Sequence, residues 1–404
     1  MKRFDTDVAI VGGGMVGQTL ALALASAGVE VAVLERAVPE ATLAPSFDGR
    51  ASAIAFATVQ MLRGLDVWAE LDTVAQPILD IRVSDGASPL FLHYDHRELA
   101  AGSPFGHMLE NRHLRFALHH AMARAGVVIR APVSVTSIDT DAFGATATFD
   151  DGSTLRARLL VGTDGGKSFV RRAAGIRTHG WEYQHSGIVL TVQHEHHHGG
   201  VAHERFLPAG PFAILPLTGN RSSLVWTERH ALAAAMVKLG DDRFAEEMRA
   251  RFGDFLGHVE PTGPRWSYPL AMLKSERTVA NRIALAGDAA QTLHPLAGQG
   301  LNLGMRDAAA LAEVIVDAQR LGGDVGSGDV LERYARWRTL DALSLIAVTD
   351  GLNRLFLNEV PPVRIGRDVG LAVVNKIAPL KRAFVGHARG TAGKLPRLLL
   401  GGAL

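Results

Sequence analysis

Gly12, Gly14 and Gly17 fall in the pattern Gly-x-Gly-x-x-Gly, and Glu35 follows at the spacing that pattern needs. Gly12 permits a tight turn, Gly14 lets a diphosphate approach the backbone, and Gly17 lets a helix pack close to a sheet. The free N–H groups and partial positive charge at that helix start suit phosphates. Glu35 would accept hydrogen bonds from a ribose diol. Two more carboxylates sit at strand ends, Asp164 in Asp164-Gly165 and Asp288 in Gly287-Asp288. Ligands of open α/β sheets bind at such ends.

These residues need positioning elements. The sequence predicts a strand over Asp7 to Val11, a helix over Leu20 to Ala27 and a strand over Val29 to Leu34, a βαβ unit that raises the glycine pattern above chance. Val133 to Ile138, Ala145 to Phe149 and Leu155 to Val161 read as strands, the last two joined by the turn Asp150-Asp151-Gly152-Ser153. Further strands are expected over Ile188 to Val192, Phe212 to Leu217 and Ser223 to Trp226, in a largely antiparallel region inserted in mid-chain. Val279 to Ala286 reads as one buried strand and Leu301 to Leu321 as a long helix, with helical patterning from Asp329 onward.

Composition removes several chemistries. There is no cysteine, so disulfides, thiolate nucleophiles and iron–sulfur clusters are excluded. The balance of 42 basic and 41 acidic residues leaves +1, with no bias toward nucleic acid. No signal-peptide pattern and no apolar run of about 18 residues is found, so a cytoplasmic protein is expected. Arg354 to Leu404 carries nine basic and two acidic residues, a balance of 9 − 2 = +7. His194, His196, His197 and His198 cluster, but no Asp or Cys stands at ligand spacing; a solvated turn is expected, and no metal site.

The glycine motif with Glu35, the Asp164-Gly165 motif and the run Gly287-Asp288 through Thr292 to Gly304, in this order, resemble the single-component FAD-dependent aromatic hydroxylases typified by para-hydroxybenzoate hydroxylase. The loop Thr-Leu-His-Pro-Leu-Ala-Gly-Gln-Gly-Leu-Asn-Leu-Gly is similar to that of the ubiquinone-biosynthesis hydroxylases. Glu110-Asn111-Arg112, the segment Glu204 to Leu217 and the stretch from Asp350 to Arg382 agree with the same group.

The resemblance implies an α/β fold: an FAD-binding Rossmann-like domain (residues 1–75, 100–178 and 278–325), an interleaved antiparallel-sheet substrate domain (76–99 and 179–277) and a helical C-terminal extension (326–404). It implies that Asp288 contacts the ribityl chain of FAD, while Gly300, Leu301 and Asn302 offer backbone N–H groups to the flavin's pyrimidine edge. Arg112 matches a flavin-contacting arginine, and Asp164 and Gly165 brace the FAD side. Arg50 matches an arginine near the pyrophosphate; a surface ion pair is its alternative. Pro295 would lie by the flavin. His294 would either hydrogen-bond a phenol or the flavin, or brace its loop. NAD(P)H would be the co-substrate, with O2, and the substrate a polyprenylated phenol or quinol in ubiquinone biosynthesis. Another aromatic metabolite, or a non-catalytic scaffold of a biosynthetic complex, are the alternatives. The basic C-terminal segment would touch partner proteins or the inner membrane surface, or else pack its apolar face on the body.

Overall fold

The computed structural model describes residues 4–44, 49–86, 91–99, 102–292, 299–339, 341 and 378–404. The strand Thr6–Val11 is buried along nearly its whole length and lies inside the first sheet. It pairs in parallel with Val31–Leu34 on one side and Thr154–Gly162 on the other. Val128–Arg130 and Ile283–Leu285 extend the parallel array outward. Parallel strands covered on both faces need apolar residues throughout rather than alternation. Here Val8, Ile10, Val33 and Leu159 face the helices Met15–Ser26, Asn111–Arg124 and Gln299–Arg320, while Ala9, Val11, Leu34 and Leu160 face a second apolar cluster.

The turn at Asp150 to Ser153 joins Ala145–Phe149 to Thr154–Gly162 in antiparallel pairing, with Asp151 accepting from the Ser153 N–H at 2.9 Å. The expected single strand over Val279 to Ala286 is instead two short pieces, Val279–Ala280 and Ile283–Leu285, folded onto each other. Arg282, at the turn, adopts φ 57°. Its guanidinium bonds Asp324 at 2.7 Å and the Ala142 carbonyl, and these ties offset the left-handed strain.

A second sheet of eight strands runs in the order Gln291–Thr292, Val259–Ser275, Thr178–His194, Arg221–Arg229, Gly210–Leu217, Val201–Leu207, Asp80–Asp85, Phe91–Asp95. Every neighbouring pair is antiparallel except Val201–Leu207 with Asp80–Asp85. One face packs Ile188, Phe212, Ile214 and Trp226 under the helices His230–Val237 and Asp241–Phe252. The other face, with Ala202, Phe206, Ala213 and Leu215, turns toward the small sheet of Ala51–Ala55, Gly106–Glu110 and Gln76–Ile78. The architecture is thus the expected α/β sheet with an interleaved, largely antiparallel one.

The histidine run is only in part the expected solvated turn: His196 and His197 are exposed there. His194 and His198 are buried, with 3% and 5% exposure. His194 Nδ1 lies 2.7 Å from the His196 carbonyl and its Nε2 3.1 Å from Ser222 Oγ. His198 Nε2 contacts the Leu217 carbonyl at 2.7 Å and its Nδ1 accepts from Gly200 N–H. All four ring nitrogens therefore have protein partners, and burial lowers both pKa values.

The described end of the chain packs several of its residues on the body. Arg389 lies over the Phe56 ring and bonds Ser103, Lys394 lies over Trp337, and Arg397 pairs with Asp317 at 2.5 Å. Leu398 and Leu399 are buried in the main core. The basic stretch before residue 378, with Arg354, Arg364, Arg367 and Lys376, lies outside the described residues. Among the described residues, no helix is long and apolar enough to cross a membrane.

One buried ion pair ties these parts together. Arg338, in the helical stretch 328–339, donates through Nε to Asp307 at 2.6 Å, and both side chains are almost wholly buried. Asp307 also accepts from the Gly287 N–H at 3.0 Å. Removing one partner strands a buried charge, which costs about 3–5 kcal/mol. Arg338→Ala should therefore lower unfolding stability by roughly that amount in chemical denaturation, whereas Arg333→Ala, at a half-exposed pair, should change it by less than about 1 kcal/mol.

Candidate functional site

A cavity of about 480 Å³ opens where the two sheets meet. The chain itself explains its place. After Ile283–Leu285 it leaves the first sheet, makes a single 3-10 turn at Gly287–Ala289 and enters the second sheet as Gln291–Thr292. Asp288 stands on that turn and lines the cavity.

One wall comes from the first βαβ unit and the two strand-end motifs. Gly14, Met15, Thr163, Gly165, Asp288 and Gly300 lie on it. The helix Met15–Ser26 begins there without a side-chain cap and without an acidic residue in its first turn. The helix Gln299–Arg320 likewise starts without an acidic first turn, and its Gly300 and Leu301 line the cavity. Two helix starts thus direct orphan N–H groups and partial positive charge at one space.

The glycines divide by role. A Cβ on Gly17 would lie 2.1 Å from the Gly12 carbonyl oxygen, so Gly17 serves helix packing. Gly12 needs φ 108° and close approach to Thr163. A Cβ on Gly14 or Gly300 would meet nothing within 4 Å, so at these two positions the bare backbone faces open space.

Glu35 does not line the cavity but closes the glycine turn. Its Oε2 accepts from Gly13 N–H at 2.6 Å and its Oε1 from Ala37 N–H at 2.9 Å. Each oxygen retains a further lone pair for an outside donor. Asp164 also acts locally: it accepts from Ser168 Oγ and from the Phe169 and Val170 N–H groups. Its neighbour Gly165 reaches the cavity. Arg171 links the two strand-end motifs, donating to the Ala289 carbonyl at 2.8 Å and the Gly166 carbonyl at 2.7 Å.

Arg50 lines the cavity, its guanidinium 5.0 Å from the Tyr268 ring centre. Burial pushes the Asp288 carboxyl above its ordinary range, and the positive charge of Arg50 acts in the opposite direction. Arg112 is not on the wall. It is partly exposed and pairs with Glu110 at 3.2 Å, while Asn111 lines the cavity and accepts from Ser52. Asn302 turns its side chain away, bonding the Ala53 carbonyl, the Ala55 N–H and Thr58. His294 and Pro295 lie outside the described residues.

The opposite wall is the second sheet, where Val189, Ala213, Leu215, Val225 and Leu270 present an apolar surface. Glu204, which opens the segment that resembles the family's active-site sheet but had no role of its own from sequence, interrupts it. Thr292, at the seam, keeps a buried hydroxyl with no partner among the described residues. The combination accommodates a ligand with an anionic, hydrogen-bonding part on one side and an apolar or aromatic part on the other. The bare Gly14 and Gly300 backbones, the uncapped helix start and the orphan Thr292 hydroxyl all fit a flavin dinucleotide.

The chain is similar to several known proteins. A family described as FAD binding domain matches residues 5–347. Ubiquinone hydroxylase UbiL of Rhodospirillum rubrum is 51% identical over 399 residues, covering 98% of this chain and 92% of the relative. The 3-demethoxyubiquinol 3-hydroxylase of Escherichia coli is 37% identical, covering 96% and 100%. Among solved structures, p-nitrophenol 4-monooxygenase PnpA of Pseudomonas putida superposes with a TM-score of 0.80 at 23% identity, covering 98% of this chain and 100% of that one.

Because the Gly17 position admits no side chain, Gly17→Ala should destabilise the protein by roughly 2–3 kcal/mol or more through overpacking against backbone. Gly14→Ala meets no neighbour within 4 Å and should leave thermal stability near wild type. A melting comparison of the two variants checks this.

Proposed function

This chain belongs to the FAD binding domain family, among the ubiquinone hydroxylases, and from that membership we propose that it hydroxylates the aromatic ring of a polyprenylated phenol or quinol on the route to ubiquinone. It is an FAD-dependent monooxygenase. The observation that carries the reading is a cavity in which the uncapped start of Met15–Ser26, the start of Gln299–Arg320 and Asp288 face an apolar sheet.

FAD, when bound, would supply the redox chemistry, that is, the use of NADH or NADPH as reductant and the activation of O2 toward an electron-rich ring carbon. The residues of the chain do the rest. The N–H groups at the start of Met15–Ser26 would hold the diphosphate, helped by Arg50. Glu35 would use its remaining lone pairs for a ribose diol. Asp288 would accept from the ribityl hydroxyls. The N–H groups of Gly300, Leu301 and Asn302 would face the pyrimidine edge, where a helix start favours the anionic reduced ring. Pro295 and His294 are proposed to lie beside the ring on the strength of the sequence resemblance. The wall of Val189, Ala213, Leu215, Val225 and Leu270 would receive the substrate ring and exclude water, which limits unproductive loss of reduced oxygen.

Purified protein should carry FAD, consume NAD(P)H and O2 in the presence of a short-chain prenylated phenol, and place one labelled oxygen from O2 in the product. Absence of label overturns the reading. Complementation of bacterial strains that each lack one ring hydroxylation then identifies the carbon attacked. Asp288→Ala should weaken FAD binding about 10- to 100-fold, the worth of hydrogen bonds to a charged group, with circular dichroism unchanged. Flavin content of the purified variant is the measurement.

A further inference from the structure

Glu204 lies on the strand Val201–Leu207, whose neighbours at that position are Ala213 and Val83. Its strand alternates. His203 and Arg205 pair with Ile214 and Phe212 on the helix-covered face, while Ala202, Glu204 and Phe206 share the face that turns to the cavity. A carboxylate on this face is out of pattern, because the cluster around it is Tyr94, Phe105, Met108, Ala213 and Leu215. Among the described residues its carboxyl has no hydrogen-bond or ion-pair partner. Its open side is the cavity.

We propose that the Glu204 carboxylate receives the ring hydroxyl of the substrate and takes its proton as the ring is oxidised. The O–H bond breaks, the proton goes to a Glu204 carboxylate oxygen, and the bonding pair stays on the ring oxygen. From there it raises electron density at the ortho and para carbons, which are the positions an electrophilic oxygen attacks. The inference rests on the ring-hydroxylase reading above and assigns the group that orients the ring and activates it.

The surroundings support an ionisable group that titrates near neutrality. Among the described residues, the titratable ones around this face are Asp85 and Tyr94 on the adjoining strands, Tyr268, Arg50 and Asp288 on the cavity, and Arg389 at the C-terminal helix. Burial keeps Tyr94 neutral, and Arg389 is engaged with Phe56 and Ser103. None of these charges sets the Glu204 carboxyl; burial alone pushes it up to about 7. A base of that strength is a better match for a phenol of about 10 than an ordinary carboxylate would be. The active form is the carboxylate, so turnover should rise with pH through about 7.

The test uses the FAD-loaded protein. Glu204→Gln keeps the shape and removes the ionisable group. Its kcat should fall about 100-fold, the usual worth of a positioned base, and the inflection near 7 should vanish, while flavin content stays at the wild-type level. Glu204→Asp should recover part of the rate and restore an inflection. Quenching of flavin fluorescence gives a second readout: wild type should bind 2-prenylphenol more tightly than its methyl ether, the more so above pH 7, and Glu204→Gln should lose that pH dependence. Wild-type kcat and pH profile in Glu204→Gln overturn the proposal. If that variant fails to fold, equal wild-type affinity for phenol and ether overturns it. A wild-type protein that binds no flavin and oxidises no phenol sinks the functional reading as well, so the two failures are distinguishable.

Discussion

The cavity depends on a buried charge. Asp307 sits on the apolar side of a long helix and is held by Arg338, while its second oxygen fixes the Gly287 N–H. Gly287 is in the left-handed region and packs against Val16, as does Gly304 from the helix. Three elements thus converge within contact of one another: the first helix, the strand-end turn and the long helix. Asp341 joins Arg338 to Arg306, and Arg306 reaches the Ala392 carbonyl. A charge in such a place is costly unless each lone pair is used, and here the geometry that satisfies it is also the geometry that presents Asp288.

The two walls divide the chemistry. The dinucleotide side is built from backbone, from helix starts and glycines that offer N–H groups without side chains in the way. The sheet side is built from apolar side chains with a lone carboxylate. A polar wall of fixed dipoles and a dry wall of hydrocarbon favour charge development at the seam and nowhere else. Arg171, bonded to both strand-end motifs, holds the turn bearing Asp288 close to the loop bearing Gly165.

The parts legible in the sequence were those whose signal is local. The glycine turn, the buried strand before it, the hairpin at Asp150 to Ser153 and the strand ends at Asp164 and Asp288 each follow from residues within a few positions. What escaped depends on distant partners. Val279 to Ala286 reads as one strand because nothing nearby announces that Arg282 will find Asp324 and Ala142. His194 and His198 read as solvated because Ser222 and the Leu217 carbonyl, which satisfy them, come from other strands. Arg112 pairs with Glu110 off the cavity wall, while its neighbour Asn111 lines it. Glu204 and Asp307 did leave a trace: each is a charge on the apolar face of its element, between Ala202 and Phe206 in one case and between Leu303 and Leu311 in the other.

The parallel pairing of Asp80–Asp85 with Val201–Leu207 limits how this protein can be recombined. The two strands lie more than a hundred positions apart, and the hairpin from Asp80 to Asp95 forms the edge of a sheet otherwise made by the middle of the chain. Chimeras that exchange only that middle stretch between relatives would break a hydrogen-bonded seam beside the Glu204 strand. Substrate preference can be grafted only if both stretches travel as a unit.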